Sequence, residues 1–390
     1  MRRLAASLVL VVFAAGGCSL GDEEAPPPQL AAEGDDEAAA EALEFPSTAT
    51  RNTIRVDGAD AATVAAGVAS AVFPATGASD RPTAVALVDQ DDWQSAVAAA
   101  VLAGPPIGAP LLLSDGDKLP AVTAETLERL APTGSDLSED AQVIRIGPDV
   151  ARPDGFKTAV VEGNDPYARA AAIDRFFSAA RGKPSSNVVL YSGEQPEWAM
   201  PAASWAARSG DAALPVKAGS IPAPVAKALQ DHERPNVYLL GPEEVIGKEV
   251  TDQLEKRKLA RSVERIEGAT PVDNAISFAR YEKGDFGWGV VVPGYNFAVA
   301  STTRPSDVAG AASLASNGVF APLLLTDEAA QLPEPLESYL LSVQPGYEDD
   351  PGQAVYNRAW VLGDEEAISV REQAQIDQIT ELIPVQANAP

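Results

Sequence analysis

The segments APLLLSDGDKLP (residues 109–120) and APLLLTDEAAQLP (residues 321–333) are two versions of one phrase. Each contains a proline, an apolar run, a hydroxyl residue, an acidic turn and a Leu-Pro pair before a helical stretch. Two such phrases in one chain indicate an internal repeat. A repeat decides the fold, because each copy is then one structural unit that packs against its neighbours.

A glycine that follows an acidic residue marks the period of this repeat. Gly58, Gly163 and Gly268 end the segments RVDG, VVEG and RIEG and are spaced by 105 residues, twice. Each unit then continues with a helical pattern, a β-branched run, an Ala-rich helix, the opening phrase, a Leu/Ile-Pro turn and a strand ending in glycine. The predicted β-branched strands are TAVALVD (83–89), NVVLYSG (187–193) and WGVVVPG (288–294).

Each unit is therefore predicted to run β-α-β-α-β-α-β-α, which requires crossover connections and a parallel sheet. The predicted fold class is α/β, with three tandem homologous domains of the flavodoxin/Rossmann-like type in a compact pseudo-threefold arrangement. A linear array is the alternative. The predicted segments are a signal peptide at 1–17, an acidic linker at 18–50, repeat domains at 51–152, 153–260 and 261–384, and a tail at 385–390.

The N-terminus has the features of an export signal. Arg2 and Arg3 precede an apolar stretch that is too short to span a bilayer as a helix. The small residues before Cys18 resemble the cleavage site of bacterial lipoproteins, which implies that Cys18 carries a lipid. Cys18 is the only cysteine, so it has no intrachain disulfide partner. We expect an extracytoplasmic protein attached to a bacterial membrane through Cys18; an ordinary cleaved signal peptide is the alternative.

Acidic residues dominate the composition. From Ser19 to Thr50 the chain has nine acidic residues and neither Lys nor Arg, which predicts a disordered spacer or, less simply, a segment that binds a basic partner. The whole chain has 56 Asp+Glu against 29 Lys+Arg, a formal net charge of −27. This charge argues against nucleic acid as a partner, because phosphate neutralisation requires clustered cations. It also argues against adhesion to anionic lipid headgroups.

The sequence contains few residues suited to catalysis. His232 is the only histidine and is predicted to lie in an exposed turn, so neither a Cys/His nucleophile pair nor a His/Cys zinc site is available. Phosphate-loop and nucleophile-elbow motifs are absent from the sequence. The acidic stretch at 89–92 could offer oxygen ligands to Ca²⁺, but it lacks the EF-hand spacing, which favours a solvated loop. We expect no catalysis and no cofactor, with Ca²⁺ as the open alternative.

Ligands of open parallel sheets bind beyond the carboxyl ends of the strands, so residues after predicted strands are candidate binding residues. Aromatic residues there could stack on sugar rings or pack onto the core. Arginines could bind a polyanion or form ordinary surface ion pairs. The aromatic candidates are Trp93, Trp198 and Tyr295, and the cationic candidates are Arg55, Arg145, Arg265 and Arg304.

The ordered parts resemble the cell wall-binding repeat family, type 2, of bacterial surface proteins over about residues 51–383. The matching segments are Arg55-Val56-Asp57-Gly58 with Asp60, Val160 to Gly163 with Asp165, Arg265 to Gly268, Asp307 to Ala312, both APLLL segments and the three Leu/Ile-Pro turns. The resemblance implies three repeats that bind an anionic wall polymer or glycan non-covalently. It adds Asp307, the helix-start acid, to the candidate ligand-binding residues.

The sequence also departs from the family pattern. Ala61, Pro166 and Pro271 replace the arginine of the family's D-R-Y element. Ser95 and Trp198 replace the helix-start Asp, and the closing Gly-Gly is Gly147-Pro148, Gly241-Pro242 and Gly363-Asp364. Three functions follow from the sequence. The first is a wall-binding lipoprotein, the second is an envelope scaffold that binds a protein partner and has lost the glycan site, and the third is an envelope hydrolase or solute receptor.

Overall fold

The computed structural model describes residues 47–317 and 319–385. The predicted signal peptide, Cys18, most of the predicted linker and residues 386–390 of the predicted tail lie outside the described residues. None of the helices in the described ranges has the length and apolar character needed to cross a membrane.

The helices and strands follow the three sequence units. The first unit contains β1 (Ser47–Ala49), β2 (Thr53–Val56), α1 (Ala61–Val72), β3 (Val85–Asp89), α2 (Trp93–Ala99), β4 (Leu111–Ser114), α3 (Ala121–Leu130) and β5 (Val143–Ile146). The second contains β6 (Thr158–Val161), α4 (Pro166–Arg181), β7 (Asn187–Ser192), α5 (Pro196–Ser209), β8 (Ala212–Val216), α6 (Ala223–Asp231), β9 (Asn236–Leu240) and α7 (Lys248–Lys256). The third contains β10 (Ser262–Ile266), α8 (Pro271–Arg280), β11 (Asn296–Ser301), α9 (Val308–Ser316), β12 (Leu323–Thr326), α10 (Glu334–Ser342), β13 (Gly346–Tyr347), β14 (Arg358–Leu362), α11 (Val370–Ile379) and β15 (Ile383–Pro384).

Side-chain caps and prolines set the helix starts. Asp60 and Asp165 accept hydrogen bonds from the backbone N–H three residues later, and Thr270 does the same at α8. The Leu/Ile-Pro turns lie directly before α3, α6 and α10, which confirms the prediction that these turns start helices. The repeated phrase therefore codes for a buried strand followed by a fixed helix start.

Three sheets of parallel strands form the framework. Their strand orders are β4-β3-β5-β6, β8-β7-β9-β10 and β12-β11-β14-β2, and β1 adds antiparallel to the edge of the third. In each sheet the chain runs from the first strand to one neighbour and then crosses to the other side, as in doubly wound flavodoxin-like folds. The predicted α/β fold class is confirmed.

Each sheet takes its fourth strand from another sequence unit. Strand β6 of the second unit pairs with β5, and β10 of the third unit pairs with β9. Strand β2 of the first unit pairs with β14 of the third and closes the circle. The three units therefore form the predicted compact pseudo-threefold ring. A domain cut at the repeat boundaries would lose one strand of its sheet.

Small residues let the units approach closely at the centre of the ring. Helices α2, α5 and α9, which hold equivalent places in the three units, contact one another. A Cβ atom on Gly104, just after α2, would lie 2.4 Å from the carbonyl oxygen of Ala207 in α5, so glycine is required there. One apolar core is continuous through all three units.

The first unit lacks the fourth helix that the repeat predicts. Residues 147–157, between β5 and β6, form a loop, whereas α7 and α11 occupy this place in the other units. Gly147 and Gly155 have φ angles of +111° and +81°, and Pro148 and Pro153 remove backbone donors that a helix would need. The sequence GPDVARPDGFK therefore turns twice before the next strand.

The predicted strand WGVVVPG is also wrong. The strand at this place is β11, which begins at Asn296, and residues 288–294 form a loop. Gly287, Gly289 and Gly294 have positive φ angles that a strand cannot accommodate, and Val291 and Val292 are more than half exposed. Three valines in a row are typical of a buried strand, but the glycines on either side of them decide the conformation.

Candidate functional site

Each sheet has a topological switch point at the carboxyl ends of its strands, between its first and third strands, where the chain order reverses. We call these cleft 1 (β3 and β5), cleft 2 (β7 and β9) and cleft 3 (β11 and β14). The marker glycine after the fourth strand belongs to each cleft: Gly163 to cleft 1, Gly268 to cleft 2 and Gly58 to cleft 3. Such switch points are where open α/β sheets bind ligands.

Cleft 3 contains an arginine surrounded by acids and carbonyl groups. Arg304 lies in the loop between β11 and α9, and its Nη1 donates to the Gly58 carbonyl oxygen at 2.8 Å. Its Nε lies 3.0 Å from Oδ2 of Asp307, and its Nη1 lies 3.4 Å from Oδ1 of Asp364. Gly363 leaves the space that this guanidinium occupies, since a Cβ there would lie 3.2 Å from Nη1. The residues come from both ends of the chain, and β2 brings them together.

Asp307 is fully buried at the start of α9. Its Oδ2 faces Arg304 but has no aligned hydrogen-bond donor among the described residues. Burial, opposed by Arg304, raises the pKa of Asp307 to about 7. The carboxyl group therefore changes charge near neutral pH.

Cleft 1 has the same chemistry built from different positions. Arg169 of α4 donates through Nη1 to the Gly163 carbonyl oxygen at 3.1 Å and through Nε to Oγ of Ser95 at 3.0 Å. Its Nη2 lies 2.6 Å from Oδ2 of Asp92, whose Oδ1 caps α2. The guanidinium thus joins the marker glycine of one unit to the helix start of the preceding unit.

Cleft 2 is filled by an aromatic ring. Trp198 is 8% exposed, and its ring lies 3.8 Å from the place that a Cβ on Gly241 would take. Asn274 holds the position in α8 that Arg169 holds in α4; it is fully buried, and neither atom of its side-chain amide has a hydrogen-bond partner in the described part of the chain. The predicted stacking surface of Trp198 is therefore packed into the protein.

Three of the predicted arginines hold backbone loops. Arg55 donates to the carbonyl oxygens of Gly363 and Ile368, each at 2.7 Å, and Arg265 makes the equivalent bonds to Gly241 and Ile246 at 2.7 and 2.9 Å. The second unit has Val160 at this position. There, Arg145 lies on the adjacent strand, in register with Val160. It makes the corresponding bonds, because its guanidinium donates to the loop carbonyls of Pro148 and Val150.

These bonds stabilise the turn after the third strand of each sheet, beside the cleft. Most of the donors on the three guanidinium groups are thereby occupied by protein. A contact between these arginines and a ligand stays a prediction. Arg304 is the predicted cation that lies in a cleft.

The remaining aromatic candidates do not occupy equivalent places. Trp93 begins α2 and is half-buried against the core. Tyr295 lies directly before β11, at the amino edge of the sheet, because the strand starts later than predicted. The prediction that Tyr295 follows a strand is wrong, and Tyr295 lies on the opposite edge from the three clefts.

The acidic stretch at 89–92 binds backbone groups of its own loop and of the loop after β4. Oδ1 of Asp89 accepts from the N–H groups of Asp91 and Gly116 at 3.2 and 3.4 Å, and Asp92 caps α2. In residues 47–317 and 319–385, no group of three His, Cys, Asp or Glu side chains is placed to hold a metal ion.

His232 is buried, which corrects the prediction of an exposed turn. Its Nδ1 lies 2.7 Å from the Ser185 carbonyl oxygen and its Nε2 lies 2.9 Å from both carboxylate oxygens of Asp174. A carbonyl only accepts, so Nδ1 carries a proton and Nε2 faces the acid. Burial lowers the pKa of His232, but Asp174 and Ser185 outweigh it, so the pKa is raised. This pair fastens α6 to α4, and Oγ of Ser178 donates to Oδ1 of Asp174 at 3.4 Å.

Arg169 and Asp364 were missed by reasoning from sequence, and Asp92 was considered only as part of a possible Ca²⁺ site. Arg169 follows the marker Gly163 at the spacing at which Asn274 follows Gly268. This common spacing from the marker glycine indicates equivalent positions in the repeat. Because the residue types at these positions differ, the sequence pattern does not reveal the equivalence. Asp364 stands where the family pattern has the second glycine, and it lies near Arg304 because the strands that precede them, β14 and β11, pair side by side.

No family model and no curated protein matches the chain. Among solved structures it is similar to Cwp8 from Clostridium difficile, with a TM-score of 0.63 and 21% identity over 84% of this chain. It is also similar to Cwp6 from Clostridium difficile, with a TM-score of 0.64 and 17% identity over 87% of this chain. The chain spans about half the length of both structures, 52% of Cwp8 and 49% of Cwp6. At these identities the likeness shows the fold.

Proposed function

We propose that this protein is a membrane-anchored lipoprotein of the bacterial envelope that binds the cell wall non-covalently through its carboxyl-edge clefts, without catalysis. The observation that carries the proposal is the presence of equivalent clefts on one closed ring, two of them with an arginine bound to the marker-glycine carbonyl. A polymer with repeated units can occupy several clefts at once, so weak contacts at each combine into useful avidity.

The chemistry of clefts 1 and 3 suits a ligand with many hydroxyl groups. Each contains an arginine whose side chain remains partly exposed, 15% for Arg304 and 19% for Arg169, beside carboxylate and carbonyl acceptors. A sugar hydroxyl both donates and accepts. The net charge of −27 repels a polyanion at the short distances where binding occurs, because the Debye length is about 8 Å at physiological salt. An anionic wall polymer would therefore bind with bridging divalent cations, whereas a neutral glycan would not need them.

Two further lines support the proposal. The fold resembles Cwp8 and Cwp6, cell wall proteins of Clostridium difficile, and the order of the three repeats resembles the type 2 cell wall-binding family. The sequence before residue 47 predicts a lipid on Cys18 and a spacer that would hold the ring away from the membrane. The proposed localisation is accordingly extracytoplasmic.

A sedimentation assay tests the proposal. The full chain is mixed with purified wall sacculi before and after chemical removal of the anionic polymers, with Ca²⁺ or with chelator. Co-sedimentation that is lost on stripping identifies an anionic polymer, and co-sedimentation that survives stripping identifies the glycan strands. An absence of binding in every condition would overturn the proposal.

Matched arginine variants locate the contact. Arg304→Ala and Arg169→Ala are expected to reduce wall binding at least tenfold together, because both remove guanidinium donors from clefts. Arg51→Ala serves as the control, since Arg51 is exposed and pairs with Glu381 at the amino edge. Equal loss in all three variants would indicate non-specific electrostatics.

A second candidate function is an envelope scaffold that binds a protein partner. It is favoured by the exposed apolar side chains of the third unit, which include Val291, Val292, Val355 and Tyr356, each at least half exposed. Recovery of one stoichiometric envelope protein with the full chain, lost in a Val292→Asp variant, would support the scaffold. Recovery that is unchanged in that variant would count against this surface.

A further inference from the structure

A large pocket lies at the amino edge of the sheets, between the second and third units. Its volume is about 790 Å³, within the range of about 300–1,000 Å³ typical of small-molecule sites. Asn187 and Asn296, the first residues of β7 and β11, lie in its wall. This amino-edge pocket is therefore on the opposite side of the sheets from the three clefts and is separate from the proposed wall-binding surface.

One wall of the pocket is a loop that is longer than its counterpart in the first unit, residues 73–84, and much longer than that in the second. Residues 281–295 connect α8 to β11, whereas the equivalent connection in the second unit is residues 182–186. Phe286 anchors the loop: it is fully buried, and its ring stacks on Tyr238 with a centroid distance of 3.4 Å and an interplanar angle of 1°. Gly287 has a φ of +106°, and a Cβ there would lie 2.2 Å from the Tyr281 carbonyl oxygen. The loop is thus held in one conformation before any ligand arrives.

The loop displays aromatic rings into the pocket. Trp288 and Tyr295 line it and are each half-buried. Trp288 is supported from behind by Trp205, with ring centroids 5.6 Å apart at 74°. Phe320 lines the same pocket, and the Arg208 guanidinium covers its ring at 4.5 Å. Fixed, half-exposed rings of this kind provide flat apolar surfaces with polar edges.

Complementary amide groups lie near the rings. Oδ1 of Asn187 accepts from Asn236, and within the described residues its Nδ2 has no acceptor. Nδ2 of Asn296 donates to the Val319 carbonyl oxygen, and within the same residues its Oδ1 has no donor. The two equivalent strands thus present one open donor and one open acceptor at the pocket.

The charges of the pocket are close to balance. Arginines contribute two positive charges and carboxylates contribute three negative ones; these residues are Arg181, Arg208, Asp211, Glu282 and Asp285. Such a lining gives little attraction to a polyanion and is too polar for a purely apolar ligand. Flat rings, planar amides and mixed donors and acceptors match a neutral sugar, whose faces are apolar and whose edges are hydroxyls.

We infer that the amino-edge pocket binds a neutral oligosaccharide that carries acetamido groups. The sugar faces stack on Trp288 and Tyr295, and an acetamido group pairs its N–H with Oδ1 of Asn296 and its carbonyl with Nδ2 of Asn187. This site goes beyond the proposed function, because it recognises a second ligand and needs neither cleft 1 nor cleft 3. The chain could then hold a polymer at one edge and a glycan strand at the other.

The test is calorimetric titration of the full chain with the N-acetylglucosamine trimer, with maltotriose as the sugar control. Saturable binding of the acetylated trimer, at least tenfold tighter than maltotriose, is expected. Trp288→Leu should weaken binding at least tenfold, whereas Trp288→Phe should retain most of it, because the aromatic face rather than apolarity is required. Both variants must keep the wild-type thermal midpoint within a few degrees.

Two further variants separate this site from the others. Tyr356→Ala removes an exposed aromatic ring from the surface outside the pocket and should leave the affinity unchanged. Arg304→Ala should also leave trimer affinity unchanged even where it abolishes sacculus binding, so the two sites fail independently. Absence of saturable binding, or binding that survives Trp288→Leu, would overturn the inference.

Discussion

Clefts 1 and 3 place a guanidinium against the same marker-glycine carbonyl, but the two arginines enter from different elements. Arg169 comes from the helix after the marker glycine, and Arg304 comes from the loop before α9. The partner acids differ in burial, since Asp92 has a side chain that is 14% exposed and Asp307 has none exposed. Arginines from different positions in the repeat can thus place a guanidinium group at equivalent points in space. The burial of the partner carboxylate then decides how much the ion pair contributes to stability.

Cleft 2 extends this comparison, because it contains a tryptophan where the other two have a polar network. We expect Trp198→Ala to destabilise the fold by roughly 3–5 kcal/mol, since the ring is buried against Gly241 and its removal leaves a cavity. Trp93→Ala, at the start of the equivalent helix but half-buried, is the matched control and should cost only about 1–2 kcal/mol. Urea denaturation measures the loss of unfolding free energy in both variants. Equal losses would mean that the Trp198 ring does not fill cleft 2.

The arginines of clefts 1 and 3 should differ in the same way. Arg304→Met leaves Asp307 buried without its cation, and breaking such a pair is expected to cost about 3 kcal/mol. Arg169→Met leaves Asp92 partly in water, so the expected cost is about 1 kcal/mol. Thermal and urea unfolding of the two variants, measured side by side, tests the difference. Equal costs would show that burial of the acid does not separate the clefts.

The pH dependence of stability sharpens the comparison further. The folded-state pKa of Asp307 is about 7, above its ordinary value of 3.8, so between these values the folded protein binds more protons than the unfolded chain. Stability from this group therefore falls as pH rises through that window. Asp307→Asn cannot ionise, so its stability relative to wild type should improve by about 4 kcal/mol between pH 4 and pH 8.

Thermal midpoints of both proteins across that range provide the measurement for Asp307→Asn. Glu372 and His232 also have raised pKa values and contribute to the wild-type curve, but they are common to both proteins and cancel in the difference. A difference that does not change with pH would contradict the assignment of Asp307 as the titrating group of cleft 3.

Much of this fold was predictable because the repeat imposes it. The marker glycines, the buried APLLL strands and the Leu-Pro turns each have a local physical cause and were correctly placed. The sequence pattern places the strand of β11 too early, at 288–294. Three consecutive valines favour a strand there, whereas the neighbouring glycines prevent it. Pro148 and Pro153 indicate that the first unit lacks its fourth helix, whereas the period of the repeat alone predicts a helix at this place.

The site was less predictable, because its contacts are distant along the chain. Arg304 reaches Gly58 only when β2 of the first unit joins the sheet of the third, and strand exchange of this kind leaves no mark in local sequence. Arg55 and Arg265 were found by their place in the repeat, but whether they face a ligand or a carbonyl depends on the turn beside them. Residue type indicated a cation, and only the tertiary structure shows what each cation contacts.

The exposed ion pair Arg51–Glu381 is expected to contribute the least to stability of the ion pairs compared here. Its atoms are 2.6 Å apart, closer than those of Arg304 and Asp307, yet its side chains are 69% and 44% exposed. Solvent screens the attraction and both side chains lose rotamer freedom, so Arg51→Ala is expected to cost less than about 0.5 kcal/mol. A double-mutant cycle with Glu381→Ala, at low salt and at 1 M salt, measures the pair itself. A coupling as large as that of the buried pair would mean that distance, rather than burial, sets the strength of ion pairs in this protein; we expect a small coupling that disappears at high salt.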